Sequence, residues 1–361
     1  MPPVTYLEAI RQGLWEEMER DPNVFCIGED IGIYGGAFKV TEGFLDRFGP
    51  ERVIDTPISE MAIVNASFGA ALTGLRPVAE FQFMDFIACA FNQITNVLAK
   101  AHYRWGVPAP MVLRGPSGGG VHGGPFHSQN PEMYYVHTPG LKVVCPGTPT
   151  DAYGLIKSAV RDNNPVIFFE HKFLYRRLKE ELPTSRNHVS AEGTVADSTG
   201  DSGSSNSPGG PLKPSSGLSG DEDFTIPIGK ARVAREGRHL SIITYAAMLQ
   251  VALEAAGILA KDGIAVEVLD LRTLLPLDRE AIAQTVQKTS KVILLHEDTK
   301  TGGIAGELAA IINEEAFDAL DGPIVRIASL DTPVPVSPPL EEVFLPSVNT
   351  VVEKARWLRS Y

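Results

Sequence analysis

Short apolar runs alternate with helix-like patterns along the first 180 residues. Leu7, Ile10, Leu14 and Met18 recur at helical spacing, and Thr5 and Glu8 stand before them as a capping box would. Five short runs have the continuous apolar character of buried parallel strands: 24–27, 78–83, 110–114, 141–145 and 165–170. Helix-like segments over 60–73, 85–103 and 150–162 separate them. This alternation predicts an α/β domain with a parallel sheet over residues 1–183.

A change in composition separates this domain from the rest of the chain. Between Asp197 and Gly220 roughly two residues in three are Gly, Ser or Pro, with almost no large apolar side chain. Such a segment buries too little surface to offset its ordering entropy, which predicts a flexible linker over residues 184–223. Strand and helix patterns resume after it. We therefore expect a second α/β domain, with its own sheet, over residues 224–361.

Composition and charge restrict the classes of partner. The 361 residues are 43% hydrophobic, enough for two separate cores, and the net charge is −12. This charge argues against nucleic acid or an anionic membrane as the main partner. The three cysteines, Cys26, Cys89 and Cys145, are far apart in apolar contexts, which predicts buried free thiols in a reducing compartment. With no signal peptide and no apolar run near the roughly 20 residues that span a bilayer, we expect a cytoplasmic protein.

One acidic residue stands at the start of an unusual helix pattern. Glu60 follows Ser59, the expected N-cap, and the predicted helix stops before Gly74. Small residues along the helix would let another backbone or a flat ligand approach closely: Ala62, Ala66, Ser67, Gly69, Ala70 and Ala71. Glu60 either faces a pocket or only complements the helix dipole, an effect worth about 0.3–1 kcal/mol.

Two histidines, His122 and His127, stand in a Gly/Pro-rich loop after the predicted strand 110–114. Because the loop offers them few packing partners, it favours a titrating acid/base histidine. A solvent-exposed structural loop and a zinc pair are the alternatives, although no nearby Cys or third His completes a tetrahedral zinc site. No GxSxG elbow and no Ser-His-Asp order occurs, so nucleophilic hydrolysis has no support.

Seven short motifs together resemble a known family. They are GED at 28–30, GGAFK at 35–39, RVIDTPISE at 52–60, EFQF at 80–83, HSQ at 127–129, HTPGLKVV at 137–144 and DNNP at 162–165. In combination they are similar to the β subunit of the thiamine-diphosphate-dependent, decarboxylating component of 2-oxo acid dehydrogenase complexes. The resemblance covers nearly the whole chain outside the Gly/Ser-rich segment. It implies an N-terminal pyrimidine-binding domain, a C-terminal transketolase-like domain and an α2β2 heterotetramer with an α subunit.

The resemblance also implies roles for matching residues around the cofactor. Glu60 corresponds to the glutamate that hydrogen-bonds the aminopyrimidine ring of thiamine diphosphate and so promotes deprotonation of its thiazolium carbon. Ile58, Gln82 and Phe86 correspond to positions around the pyrimidine, and Phe86 stands where relatives often have tyrosine. Glu29 corresponds to a polar position near the cofactor.

His127 corresponds to the histidine that handles the 2-oxo acid and passes the acyl group to lipoamide. The chain lacks the Gly-Asp-Gly and downstream Asn that grip magnesium and the diphosphate in this enzyme class. The resemblance therefore implies that the α subunit holds Mg²⁺. In some relatives K⁺ is held mainly by backbone oxygens at positions that match Ala109, Met111, Val112, Ala159, Asp162 and Asn164.

The implied partners are the α subunit, a 2-oxo acid and the lipoyl acyltransferase core, whose basic subunit-binding domain would dock on the acidic C-terminal domain. The rival functions are a split-subunit transketolase-like ketol transferase, an acetoin-cleaving dehydrogenase and a non-catalytic scaffold. The motifs do not distinguish pyruvate from branched-chain substrates, because much of the pocket would belong to the α subunit.

Overall fold

The computed structural model describes residues 2–183 and 223–361. The predicted linker over 184–223 lies outside the described residues, apart from Asp223. Each half contains a mainly parallel sheet flanked by helices, which confirms the predicted two-domain α/β fold.

The first half supplies eight strands and six α-helices. The strands are β1 Val4–Thr5, β2 Val24–Gly28, β3 Val53–Asp55, β4 Arg76–Glu80, β5 Val112–Ser117, β6 Lys142–Val144, β7 Val166–His171 and β8 Lys179–Glu180. The helices are α1 Tyr6–Arg20, α2 Phe44–Phe48, α3 Glu60–Leu72, α4 Ala101–Trp105, α5 Glu132–Val136 and α6 Pro149–Arg161. The predicted capping box is present, since Thr5 and Glu8 cap the start of α1 reciprocally.

The second half follows the same plan. Its strands are β9 Arg232–Arg235, β10 Leu240–Thr244, β11 Val266–Asp270, β12 Thr273–Leu275, β13 Val292–Thr299 and β14 Val325–Ser329. Its helices are α7 Met248–Lys261, α8 Arg279–Thr289, α9 Ala305–Glu315, α10 Pro338–Phe344 and α11 Val348–Ser360.

The sheets are not divided cleanly between the halves. The first has the order β12-β6-β7-β5-β4-β2-β3, and the second has the order β14-β13-β10-β11-β9. Strand β12 belongs to the second half of the chain but pairs antiparallel with β6, where it covers an edge that would otherwise carry unpaired N–H and C=O groups. A short ribbon of β1 and β8 completes the described strands.

Three predictions about local structure were wrong. The predicted helix over 85–103 is broken into 3₁₀ turns at Met84–Ala90 and Leu98–Lys100, a π turn at Gln93–Val97 and the short helix α4. Within it the Thr95 hydroxyl donates to the Phe91 carbonyl at 2.8 Å, a back-bond that bends helices. Ser59 precedes α3 but makes no side-chain cap. Cys89 is exposed, whereas Cys26 and Cys145 are buried free thiols as expected.

Tight packing between α1 and α6 closes one face of the first sheet. A Cβ added at Gly13 would lie 2.6 Å from Ile156 Cγ2, so only glycine fits at this crossing. Within the two ranges that the structure describes, no helix has the length and apolar character needed to cross a membrane.

Candidate active site

The candidate site residues gather where β2, β4 and β5 end. These strands are adjacent and parallel, with Gly28 opposite Glu80 and Glu80 opposite Arg114. Glu29 and Gln82 follow the first two strands within two residues, and the loop that carries His127 follows the third. Ligands of α/β proteins bind at such carboxyl edges, so the fold places the predicted residues at a ligand-binding edge.

Two carboxylates, Glu29 after β2 and Glu60 in the first turn of α3, lie close enough for the charge of Glu60 to act on Glu29. Glu29 is only 6% exposed, and its Oε1 has no hydrogen-bond partner among the described residues. Burial raises the pKa of Glu29, and the negative charges of Glu60 and Asp30 raise it further. Glu60 is half-buried in the first turn of α3, and the nearby Ile58 is 82% exposed. A buried acid with an unsatisfied oxygen therefore stands beside Glu60 on an open edge.

Gln82 and Phe86 follow β4 at this edge. The Gln82 amide donates to Asp30 Oδ2 at 3.1 Å, which ties it to the turn after β2. Asp30 adopts a left-handed backbone conformation with φ of 55°, which turns the chain sharply after Glu29. Phe86 is half-buried in the 3₁₀ turn that follows Gln82.

His127 stands against two phenylalanine rings. The ring centroids of His127 and Phe83 are 4.7 Å apart with nearly perpendicular planes, and those of His127 and Phe86 are 5.6 Å apart. Edge-to-face contacts of this kind fix the orientation of an imidazole. The structure therefore brings together His127 and Phe86, two of the predicted site residues.

A cavity of about 360 Å³ opens beside His127. Its lining comprises Phe38, Phe83, Val121, Gly123, His127 and Lys172. Burial lowers the pKa of the Lys172 ammonium to about 8, and its Nζ donates to the Gly118 carbonyl. Phe38 lies in the GGAFK motif but was not predicted to line a site, and Lys172 was not singled out, because only the fold brings these two residues to the histidine loop.

The two loop histidines point to different partners. His122 Nδ1 lies 2.6 Å from Glu341 Oε2, a carboxylate of the second half, whereas His127 faces the aromatic rings. Within residues 2–183 and 223–361, no group of three or more His, Cys, Asp or Glu side chains is arranged to hold a metal ion. The zinc-pair alternative gains no support from this geometry.

The residues that match the potassium site converge elsewhere, near the amino ends of β5 and β7 and the end of α6. The Met111 carbonyl accepts from Val166 N at 3.0 Å, and the Asp162 carbonyl accepts from Arg76 Nη1 at 3.1 Å. The Asp162 carboxylate also pairs with Lys142. Asp162 therefore already faces two side-chain cations.

The outer face of α3 is uncovered. Ile63, Val64 and Ser67 are buried against the sheet, while the opposite face exposes small and apolar side chains: Met61, Ala62, Ala66, Gly69 and Leu72. A Cβ added at Gly69 would meet nothing within 4 Å. An exposed apolar face of this kind is typical of a surface that binds another protein.

Two family models match the chain. A model described as "Transketolase, pyrimidine binding domain" matches residues 2–177, and one described as "Transketolase, C-terminal domain" matches residues 229–351. Among solved structures, a chain titled "Split gene transketolase, inactive beta4 tetramer" superposes with a TM-score of 0.73 at 21% identity, covering 99% of this chain and 98% of that one. At that identity the likeness shows the fold alone.

Curated relatives identify the family within this fold. The chain is 45% identical over 363 residues to the 2-oxoisovalerate dehydrogenase subunit beta of Bacillus subtilis (strain 168), with 99% of each chain covered. It is 40% identical over 358 residues to the pyruvate dehydrogenase E1 component subunit beta of the same organism, with 99% and 98% covered. These matches confirm the family indicated by the seven motifs. The chain belongs to the β subunits of the thiamine-diphosphate-dependent 2-oxo acid dehydrogenases.

Proposed function

We propose that this chain, together with an α subunit, catalyses thiamine-diphosphate-dependent oxidative decarboxylation of a 2-oxo acid and passes the acyl group to the lipoyl group of an acyltransferase. The observation that carries the proposal is the pair of carboxylates at the start of α3, in a chain that belongs to this family. The match to dehydrogenase β subunits at 40–45% identity favours this reaction over ketol transfer or acetoin cleavage.

The residues of the carboxylate pair suit an aminopyrimidine ring. Glu29 offers an oxygen that has no hydrogen-bond partner in the described parts of the chain, and Glu60 offers an accessible carboxylate beside exposed apolar side chains. When bound, thiamine diphosphate supplies the nucleophilic carbon that attacks the 2-oxo carbonyl and accepts the electrons of decarboxylation. In the proposal Glu60 holds a proton at the pyrimidine nitrogen, and Glu29, Ile58, Gln82 and Phe86 orient the ring.

His127 has the second proposed role. Its ring is held edge-on by Phe83 and Phe86 and lines the 360 Å³ cavity. From this position we propose that it binds the 2-oxo acid and moves a proton during acyl transfer to lipoamide. The apolar lining suits an aliphatic side chain. Since the identity to the 2-oxoisovalerate relative is the higher of the two, branched-chain 2-oxo acids are the first substrates to test, followed by pyruvate.

The proposed partners follow from what the site lacks. The sequence has no diphosphate-binding motif, so we propose that an α subunit supplies the groups for Mg²⁺ and diphosphate and covers the exposed face of α3 in an α2β2 assembly. The net charge of −12 supports docking of a basic subunit-binding domain of the acyltransferase core. The potassium site stays a prediction, and K⁺ would have to compete there with Arg76 and Lys142.

The proposal is tested by reconstitution with an α subunit, for example that of one of the B. subtilis relatives. We expect thiamine-diphosphate-dependent decarboxylation from the mixture and none from either subunit alone. Glu60→Gln should reduce turnover at least about 100-fold, because the proton at the pyrimidine is no longer held by a charged group, while assembly is unchanged. Glu51→Gln, an exposed acid nearby in the chain, is the matched control.

Full activity of the isolated chain would contradict the shared site, and normal turnover of Glu60→Gln would remove Glu60 from the mechanism. Failure of the α/β mixture to bind thiamine diphosphate would favour the non-catalytic scaffold instead.

A further inference from the structure

The loop that carries His127 is unusually rich in glycine. We define the His127 loop as residues 118–130, between β5 and α5; five of its first seven residues are glycine. Its two ends are joined by a hydrogen bond from the Gly118 amide to the Gln129 carbonyl at 3.0 Å. Lys172 also donates to the Gly118 carbonyl. Glycine loses more conformational freedom on ordering than any other residue, so a loop of this composition needs external contacts to hold one shape.

One set of contacts comes from Glu297, at the carboxyl end of β13 in the second half. Its Oε1 accepts from the Gly119 amide at 2.6 Å and from the Asn130 side chain at 3.1 Å. Its Oε2 lies 2.8 Å from His171 Nε2. Burial alone would raise the pKa of Glu297, but the His171 charge and these donors outweigh burial and lower it to about 2. Glu297 is therefore a charged acceptor at both ends of the loop.

A second set comes from Glu341 in α10, which is 1% exposed. Its Oε1 accepts from the Gly120 amide at 3.0 Å, and its Oε2 accepts from the His122 amide at 3.1 Å. The His122 ring adds a contact of 2.6 Å to the same oxygen, and His122 adopts a left-handed backbone with φ of 62°. Glu341 thus holds the middle of the loop in a conformation that a non-glycine residue rarely adopts.

Both carboxylates are buried and direct most of their hydrogen bonds to this one loop. A buried charge is tolerated only where its hydrogen bonds are made, so each carboxylate and the loop conformation depend on one another. A helix or strand that served only to cover the loop would need no charge at these positions.

We propose that Glu297 and Glu341 are positioning residues for His127. Through them the second domain, which holds none of the proposed catalytic residues, holds the loop in the shape that keeps the imidazole against Phe83 and Phe86 for acyl transfer. This inference rests on the role proposed above for His127.

The test uses the reconstituted α/β enzyme and measures acyl transfer to a lipoyl domain. Glu341→Gln should lower kcat about 10- to 100-fold, because small displacements of a catalytic group cost this much, while the affinity for thiamine diphosphate stays unchanged. Glu342→Gln, at the exposed neighbouring position of α10, should keep wild-type kcat. Glu297→Gln should behave like Glu341→Gln.

A double-mutant cycle separates positioning from general destabilisation. In a His127→Ala background Glu341→Gln should cost no further activity, because a residue that acts through the imidazole has nothing left to position. Should Glu341→Gln fail to assemble, His122→Ala provides a milder variant. The His122 side chain is 48% exposed, and its removal deletes one contact of the Glu341 carboxylate. We expect a smaller loss of kcat that also vanishes in the His127→Ala background.

The possible failures are distinguishable. If His127→Ala is defective but Glu341→Gln lowers activity equally in both backgrounds, the positioning role is overturned and the proposed function stands. If acyl transfer is unchanged in Glu341→Gln, Glu297→Gln and His122→Ala, the positioning role is also overturned. If His127→Ala itself retains full acyl transfer, the role of His127 falls and the positioning role falls with it.

Discussion

Buried charges in the first domain differ in whether they have a partner. Arg114, 1% exposed in β5, forms ion pairs with Glu80 on the neighbouring strand and with both oxygens of Glu170, one of them at 2.7 Å. The Tyr175 hydroxyl donates to Glu170 Oε2 at 2.6 Å. Glu29, which follows β2 at the same edge of the sheet, has one oxygen without a hydrogen-bond partner within residues 2–183 and 223–361. The satisfied cluster stabilises the fold, whereas Glu29 belongs to the proposed site.

Replacing Arg114 with methionine should destabilise the protein strongly. The change leaves two buried carboxylates without their cation, which costs about 3–5 kcal/mol in comparable cases. Chemical denaturation of the isolated chain measures the loss. The control is Arg279→Met, which breaks an exposed pair with Glu314 and Glu315 and should cost far less, because solvent screens that pair. Equal losses in the two variants would contradict a structural role for the buried cluster.

The stability of the fold should depend on the protonation of Glu132. This buried carboxyl accepts from the Tyr245 hydroxyl at 2.5 Å, and burial together with the charge of Asp298 raises its pKa from about 4.5 to about 8. A raised pKa in the folded state means that its contribution is complete below pH 4.5 and is lost as the pH rises towards 8. The melting temperature of the wild type should fall over that window.

Glu132→Gln should flatten this pH profile, because the amide stays neutral and still accepts from Tyr245. Melting curves recorded from pH 5 to pH 8.5 for both proteins provide the measurement. A variant whose melting temperature falls with pH as steeply as that of the wild type would exclude Glu132 as the source.

At the scale of elements, helix α3 and the His127 loop position the candidate site residues in different ways. Helix α3 has one buried face and one uncovered face, so it can hold Glu60 rigidly while meeting a partner. The His127 loop contains only one short 3₁₀ turn, Gly124–Phe126, and its other part is held by hydrogen bonds to Glu297, Glu341 and Lys172. The two halves of the site therefore respond differently to substitution.

Bulk on the open face of α3 should block assembly without harming the fold. Gly69→Leu meets nothing within 4 Å and replaces a poor helix former, so the isolated chain should be stabilised slightly, by up to about 1 kcal/mol. Gly306→Leu in α9 is the matched control, because that glycine is also helical, exposed and free of neighbours within 4 Å.

Size-exclusion chromatography with the α subunit distinguishes the two variants. We expect Gly306→Leu to assemble normally and Gly69→Leu to remain apart. Normal assembly of Gly69→Leu would place the α interface on another surface.

Local sequence patterns predicted a helix correctly where the contacts that determine it come from residues near in the chain. The capping box of Thr5 and Glu8 and the span of α3 follow from neighbours in the chain, and the structure has both. The segment 85–103 looked helical, but its back-bond at Thr95 and its packing under α3 break it into turns. The motifs predict Glu60 and His127 as site residues, whereas Lys172, Glu297 and Glu341 are brought to the His127 loop only by the fold.

At the scale of the whole molecule, the two halves are joined by more than the chain between them. Strand β12 completes the first sheet, and Arg272 donates to Asp151 of α6 at 3.0 Å. Arg232 donates to the other oxygen of the same carboxylate at 3.0 Å. Two arginines of the second half thus share one buried aspartate of the first, and neither half is complete alone. Sequence patterns predicted two α/β units, and the structure has them. They did not predict that β12 pairs with β6, because the two strands are too far apart in the sequence for a local pattern to indicate their pairing.

We expect the isolated chain to unfold in a single thermal transition. Calorimetry should show one peak whose van't Hoff and calorimetric enthalpies agree, because the shared sheet and the Asp151 contacts couple the halves. Arg272→Met should broaden or split that peak by weakening the coupling. Two resolved transitions in the wild type would show that the halves unfold independently.

The pairing of β12 with β6 also affects how the protein folds during synthesis. Residues leave the ribosome in order, so β6 is synthesised about 130 residues before its partner β12. During that interval the nascent first domain has an edge strand, Lys142–Val144, without its neighbour, and such an edge is a template for pairing with other chains. The interval between these two strands is therefore a period of exposure to misassembly, when a chaperone or slow translation would have the greatest effect on yield.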